Sequence, residues 1–440
     1  MTSALLGLHP LWVATTLFVA TYLVIMSDRV NRAIVALLGA GLLILLGVVE
    51  QKEALHAVDF NTLGLLLGMM LIVNITRRSG LFQFVAIWSA KKVKADPWGI
   101  LLMMSLVTAF FSAFLDNVTT VLLTVPVTML ITQELKVKPY PYLFAQIFAS
   151  NIGGTATLIG DPPNIMIGSA VGLTFNDFGL HLTPVIIVVM AATMVPLYFV
   201  WGRHLHATEE NRRHVMNFNE RETITDSRLL KQSLLVIALT IAGFMLQRQI
   251  GIEPATIAMC GAALLLLLDN FGKPAEEQSK NVHGALSEAE WITLMFFLGL
   301  FVLVYGIQKA GLIDMMANGL LDATKGDFKT TTLAILWGSA VLSAFIDNIP
   351  FVATMLPLIK AMGPALGGDA SLLPLWWALS LGACLGGNGT LIGASANLVV
   401  AGLSDRAGMP FRFVEYLKVA FPLMLLSIVV CHVYIVLRYL

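Results

Sequence analysis

Apolar runs recur from one end of the chain to the other, among them Leu11–Met26, Ala33–Val49, Pro184–Trp201, Ser233–Leu246 and Phe421–Leu437. A helix needs about 20 mostly apolar residues to cross the hydrocarbon of a bilayer, so the pattern predicts an all-α polytopic membrane protein of about 10–12 membrane segments. Residues 80–94 (GLFQFVAIWSAKKVK) are short and end in lysines, which suits a helix lying at the membrane interface. Only residues 202–231 form a long polar stretch. It reads as a solvated linker, because His204 and His206 lack a carboxylate or cysteine at ligand spacing.

Composition agrees with the pattern and excludes other classes. The chain is 57% hydrophobic and 12% charged, whereas soluble domains carry about 25% charged residues. Basic and acidic residues balance at 27 each, which suggests no nucleic-acid partner. No basic residues precede the first apolar run, so no cleavable signal peptide is expected. Cys260, Cys384 and Cys431 are scattered and read as small apolar residues in helices. No phosphate-binding loop, nucleophile motif or metal-ligand cluster is present, so neither an enzyme nor a cofactor is expected.

A second regularity lies above the helices. SAFLDNVTTVLLTVP (112–126) returns as SAFIDNIPFVATMLP (343–357), an offset of 231 in the numbering. The same offset relates LGMMLIVNITRRSGL (67–81) to LGLFVLVYGIQKAGL (298–312), while GGTATLIGDPPN (153–164) matches GGNGTLIGASAN (386–397) at 233. ALLGAGLL (36–43) matches AMCGAALL (258–265) at 222. Colinear matches of this kind predict a duplication: residues 1–201, a cytoplasmic linker at 202–231, and residues 232–440. Each copy makes five net crossings, which turns the second upside down. With the N-terminus outside, 20 of the 27 Lys and Arg residues fall on the inner side and 7 on the outer, the bias expected of a cytoplasmic face.

Inverted repeats with interrupted helices are the architecture of secondary transporters, with the substrate site at the midplane where the copies meet. Gly153, Gly154, Gly160 and the Pro162-Pro163 pair mark a break in one helix, and GGNGTLIGASAN marks a softer one. Freed backbone is tolerated at membrane depth only against protein or water. Each intramembrane Asp costs about 2.5–3.5 kcal/mol, so Asp116-Asn117 and Asp347-Asn348 need a partner or a purpose. Such an Asp can carry a proton, hold a cation with Asn and Thr oxygens, or cap the helix that follows it. Asp161 lies in one break only, opposite Ala394, and reads equally as a coupling carboxylate or a cap.

These motifs carry a likeness. FLDNVTTV with IGGTATLIGDPPN, repeated as FIDNIPFV with LGGNGTLIGASAN, resembles the ion transporter superfamily. Within it the chain looks like the branch of arsenite-pump-like bacterial membrane proteins and the melanosomal P protein, with citrate and dicarboxylate carriers more distant. The resemblance implies re-entrant hairpins with Asp116, Asn117, Thr119, Asp347 and Asn348 at or beside their tips. It also implies Thr157, Asn164, Thr390 and Asn397 in the broken helices, and a homodimer. Where dicarboxylate carriers have Ser-Asn-Thr, both tips here gain an Asp, which argues against di- and tricarboxylate substrates.

The leading expectation is a proton-coupled antiporter of the inner (plasma) membrane exporting arsenite or antimonite, a neutral hydroxide that amides, hydroxyls and carbonyls can hold. A sodium/proton antiporter and an anion carrier for chloride or carboxylates are the alternatives, with a channel as a different class. The expected partners are a small ion substrate, a coupling H+ or Na+, the lipid bilayer and a second copy. A separate ATPase subunit stays open, because the chain has no phosphate loop of its own.

Overall fold

The computed structural model describes residues 9–27 and 29–440, and among them the chain is helical with no strand. Eight of the described helices are long and apolar enough to cross a membrane, and Pro10–Met26, Arg32–Leu45 and Pro254–Asn270 are shorter apolar helices. The polarity of the fold is that of a protein dissolved in lipid. Ile187, Leu235 and Leu437 point outward, while Thr108, Gln146, Asn151 and Asp161 are buried. The chain is a multi-pass, all-α membrane protein.

Short polar residues set the helix starts, because the first-turn amides have no partner within the helix. The carboxylate of Asp59 accepts from the amides of Asn61 (3.0 Å) and Thr62 (3.2 Å) and opens Phe60–Arg77. Asp96 and Asp327, which align at the offset of 231, open Pro97–Phe114 and Phe328–Ser343 by accepting from the amides of Gly99 and Thr330, each at 2.8 Å.

The helix Phe60–Arg77 packs along Pro254–Asn270, and Trp291–Lys309 packs along Arg32–Leu45. Both crossings need a glycine. A Cβ at Gly68 would meet the backbone of Ala258 at 2.7 Å, and one at Gly299 would meet that of Ala36 at 2.5 Å. Gly68 aligns with Gly299 and Ala36 with Ala258, so the aligned segments pack through aligned positions.

Two hairpins and two broken helices fill the middle. The first hairpin has arms Pro97–Phe114 and Asn117–Glu134, and the second has arms Phe328–Ser343 and Asn348–Met362. Each packs on the first half of its own broken helix, Tyr140–Thr155 or Leu373–Gly386. The second halves cross over, Pro162–Val171 packing on Asn348–Met362 and Ser395–Arg406 on Asn117–Glu134. Close approach again depends on glycine: a Cβ at Gly153 would lie 2.1 Å from the Ala109 carbonyl, and one at Gly386 would lie 2.5 Å from that of Ala340.

Three expectations change on contact with the structure. The second break is no softer than the first: Ala394 (φ −148°, ψ 146°) is as extended as Asp161 (φ −141°, ψ 132°). The prolines of the first break sit in the opening turn of Pro162–Val171, where a missing amide N–H costs nothing, so they start the half-helix and do not interrupt one. Residues 202–231 are docked, not loose. Lys91 pairs with Glu220 at 2.6 Å, Asn211 donates to the Leu135 carbonyl at 3.1 Å, and the Thr225 amide reaches Ser79 at 3.2 Å. The lysine bond holds the Glu220 carboxyl below its ordinary range. The helix Leu81–Lys92 is covered in part by this segment, which takes up the Lys91 ammonium.

Because no room exists for a side chain at the two crossings, Gly68→Ala and Gly299→Ala should each destabilise the protein by about 1–3 kcal/mol. Gly41, with nothing near its absent Cβ, should accept alanine and gain up to about 1 kcal/mol of helix propensity. Thermal unfolding of the three variants in one detergent measures the contrast.

Candidate functional site

The site is built from the tips of the two hairpins and the gaps in the two broken helices. Leu115 and the stretch Ala344–Ile346 end the first arms, and Asp116 and Asp347 open the second arms as true caps. The Asp116 carboxylate accepts from the Thr119 amide at 2.8 Å, and that of Asp347 accepts from the Ile349 amide at 3.0 Å. Asp161 also precedes a helix, yet its side chain makes no capping bond. It accepts instead from Asn348 of the opposite hairpin, at 3.3 and 3.4 Å.

These residues meet in a small cavity of about 10 Å³, lined by Asp116, Asn117, Asp161 and Asn348 together with Arg32, Glu290, Thr293 and Ser395. That volume holds about one water molecule. Asp347 lies just beside it. The Arg32 guanidinium donates to Asp347 (3.1 Å), to the Ser395 hydroxyl (2.5 Å) and to the Thr293 hydroxyl (3.1 Å), and it lies 5.2 Å from the centre of the Phe296 ring. Ser395 in turn donates to Asp347 at 2.9 Å, and Thr293 to Glu290 at 3.1 Å. Arg32 therefore ties the second hairpin tip to the half-helix Ser395–Arg406 and to the start of Trp291–Lys309. A second cavity of about 60 Å³, lined by Tyr22, Arg32, Asp347 and Pro350 among others, flanks this ion pair.

The remaining residues singled out in the sequence lie behind the cavity and hold it in shape. Asn164 donates to the carbonyls of Thr155 (3.1 Å) and Thr157 (2.9 Å), bridging the first gap. Asn397 donates to those of Gly387 (2.7 Å) and Thr390 (2.9 Å), bridging the second. The Thr157 hydroxyl donates to the Ala113 carbonyl and the Thr390 hydroxyl to that of Ala344, so each gap is stapled to the end of its hairpin's first arm. Thr119 contributes its backbone amide to the Asp116 cap.

Several residues at the centre were not legible as such. Asn151 receives a bond from Asn117 at 3.1 Å and donates to Asn388 and Asn397, each at 2.9 Å, joining the two broken helices. Ser380 donates to Asn164 at 2.6 Å. Arg32 looked like one more basic residue at a helix end. Glu290 and Thr293 did carry a signal, because the repeat aligns them with Asp59 and Thr62, which make the same acid-to-hydroxyl contact at 2.6 Å.

With four carboxylates around one guanidinium, the site is acidic. That guanidinium is committed to Asp347 and to two hydroxyls. In a low-dielectric setting such a cluster favours a bound cation or proton and opposes a free anion.

Comparison with known proteins agrees with this picture. The model of the family described as "Citrate transporter" matches residues 22–382. The chain is 41% identical over 431 residues to an uncharacterized transporter of Mycobacterium tuberculosis, covering 97% of this chain and 98% of that protein. It is 33% identical over 506 residues to the human P protein, covering 96% of this chain but 59% of the longer relative. Among solved structures, the Alcanivorax borkumensis YdaH transporter aligns with a TM-score of 0.57 at 16% identity, over 97% of this chain and 98% of that one. Neisseria gonorrhoeae MtrF, described with a class of antimetabolite efflux pumps, aligns with a TM-score of 0.53 at 10% identity, over 99% and 96%. Those two likenesses concern the fold alone, whereas the family match and the mycobacterial relative together mean that this chain belongs to the citrate transporter family of membrane transporters.

Proposed function

We propose that the chain is a secondary active transporter that works by alternating access between two inverted halves, residues 1–201 and 232–440, with the proton as coupling ion. The observation that carries this reading is the acidic cavity shared by both hairpin tips. Among the described residues, Asp116 and Asp161 face it without a cationic partner of their own, and a carboxylate so placed trades a proton against a substrate.

The two-halves reading draws support from repeated contacts. Ser112 donates to the Ser150 carbonyl and Ser343 to the Ala383 carbonyl, both at 2.6 Å, and the Thr157 and Thr390 staples repeat in the same way. Ion pairs between loops support the sidedness. Arg77–Glu288, Arg78–Asp269 and Lys91–Glu220 join segments counted to the Lys- and Arg-rich side, while Lys309–Glu53 and Arg248–Asp177 join segments counted to the other.

For the substrate, the net negative site suits a neutral, hydroxyl-bearing solute or a cation, and arsenite is the first solute to test. A second reading has one observation in its favour: Arg32, released from Asp347, is the guanidinium that a carboxylate such as citrate requires.

Everted membrane vesicles given a proton gradient separate these cases when arsenite, Na+, chloride and citrate are scored one at a time. Arsenite movement is the expected result. Quenching of the gradient by Na+ would move the assignment to sodium/proton exchange, and citrate movement to the carboxylate reading. In the same vesicles Asp116→Asn and Asp161→Asn should abolish coupled transport while leaving the protein folded, and wild-type rates in both would sink the coupling role. Arg32→Gln should loosen the tip of the second hairpin, seen as faster proteolysis or thiol labelling at 345–349. Arg32→Lys should restore only part of the effect, because an ammonium cannot reproduce the planar, three-partner geometry.

A further inference from the structure

The second arm of the first hairpin carries threonine at every fourth position: Thr120, Thr124, Thr128 and Thr132. On a helix that spacing places all four on one face, over about 18 Å from Thr120 to Thr132. The stripe faces protein, not lipid, for the four are at most 1% exposed. Asp116 sits one turn before Thr120, at the cavity. At the other end Glu134 closes the helix and lies 3.8 Å from the His214 imidazole, in contact with solvent on the Lys- and Arg-rich side.

Neighbouring helices complete the stripe with polar atoms. The Thr108 hydroxyl donates to that of Thr124 at 3.3 Å, and Gln146 donates to Thr108 at 3.1 Å. Two groups in this cluster have no partner among the described residues: the Thr120 hydroxyl and the Gln146 carbonyl oxygen, on residues that are 0% exposed. Buried polar groups are satisfied in nearly all native structures, and the commonest partner for one that is left over is water.

The second half supplies the control. Its residues at the positions of Thr120, Thr124, Thr128 and Gln146 are Phe351, Met355, Ile359 and Leu379. A polar core needed for hairpin packing would recur in both copies. Ser339 does stand at the position of Thr108, but the threonine stripe and the Gln146 amide occur in one copy only, beneath the tip whose Asp, among the described residues, has no guanidinium.

We propose that this stripe is a hydrated proton path joining Asp116 to the Lys- and Arg-rich side of the membrane. It rests on the reading of Asp116 as a proton carrier. The hydroxyls of Thr124, Thr128 and Thr132 donate to carbonyls of their own helix, so water carries the proton. Each water passes one proton forward and takes one from behind while the threonine oxygens accept from it, and no threonine changes charge. The net change is one proton lost by the bulk solution and one O–H bond formed on the Asp116 carboxylate. At the cavity that carboxylate is faced by Asp161, Glu290 and Arg32, with Asp347 held on Arg32. At the solvent end of the same helix the titratable groups are Glu134 and His214.

Protein in lipid nanodiscs, given a proton pulse from a caged acid, tests this without knowledge of the substrate. Time-resolved infrared spectroscopy follows the carboxylic C=O band that disappears in Asp116→Asn. Thr124→Val with Gln146→Leu should slow the appearance of that band by about tenfold or more and leave its final size unchanged. An unchanged rate would overturn the path while leaving Asp116 as the carrier. Absence of any band sensitive to Asp116→Asn would overturn the carrier reading instead. Should the double variant fail to fold, Ag+ labelling of Thr128→Cys and Ile359→Cys in a cysteine-free background decides the matter. The path requires Cys at 128 to react from the Lys- and Arg-rich side and Cys at 359 to stay sealed; equal behaviour of the two would contradict it.

Discussion

The structure depends on how a helix can be broken in the middle of a membrane protein. Every amide and carbonyl freed at the break must find a partner, since hydrocarbon offers none. Here two asparagines do this, Asn164 and Asn397, each donating to two carbonyls across its own gap. Threonine staples fix each gap to the neighbouring hairpin, and glycines let those hairpins approach closely enough to be stapled. Once the gaps are rigid, the hairpin tips face each other across them, and the carboxylates acquire a protein-lined cavity in place of lipid. The charge of the site is thus a consequence of solving the backbone problem first.

Some of the positions at which the aligned segments differ lie at or beside the site. Asn151, which donates to Asn397, stands where the second half has Cys384, whose thiol faces Asn164 at 3.6 Å. Asp161 stands opposite Ala394, and Arg32 opposite Pro254. One side of the cavity therefore has an ion-pair latch between a hairpin tip and the helices around it, and the other, among the described residues, has none. Unequal sides fit the proposed alternating access, in which one ion and one solute would be bound with different strengths in two orientations.

Much of this was legible in the chain before any coordinates. The apolar runs gave the helices, and the aligned DN and TLIG motifs marked the tips and gaps, because a polar group in hydrocarbon is too costly to be incidental. What could not be read were contacts between distant segments. Arg32 is an ordinary basic residue at a helix end until the fold brings it to Asp347, 315 positions away. Asn151 is one amide in an otherwise helical run until three other asparagines gather around it. Asn164, Asn397, Thr157 and Thr390 read from the motifs as residues of the broken helices, and the fold spends their donors on the backbone. Local sequence shows which groups need partners; it does not show which partner each one takes.

Val118 and Ile349, one beside each tip, line the central cavity and align in the repeat, which makes them the most direct probes of a site shared by two halves. Each should be changed to cysteine in a cysteine-free background and treated with a membrane-impermeant thiol reagent from either face, with and without transported solute. The account predicts that both cysteines react, and that solute shifts their reactivity from one face to the other. Two cysteines that stay unreactive from both faces under every condition would contradict it.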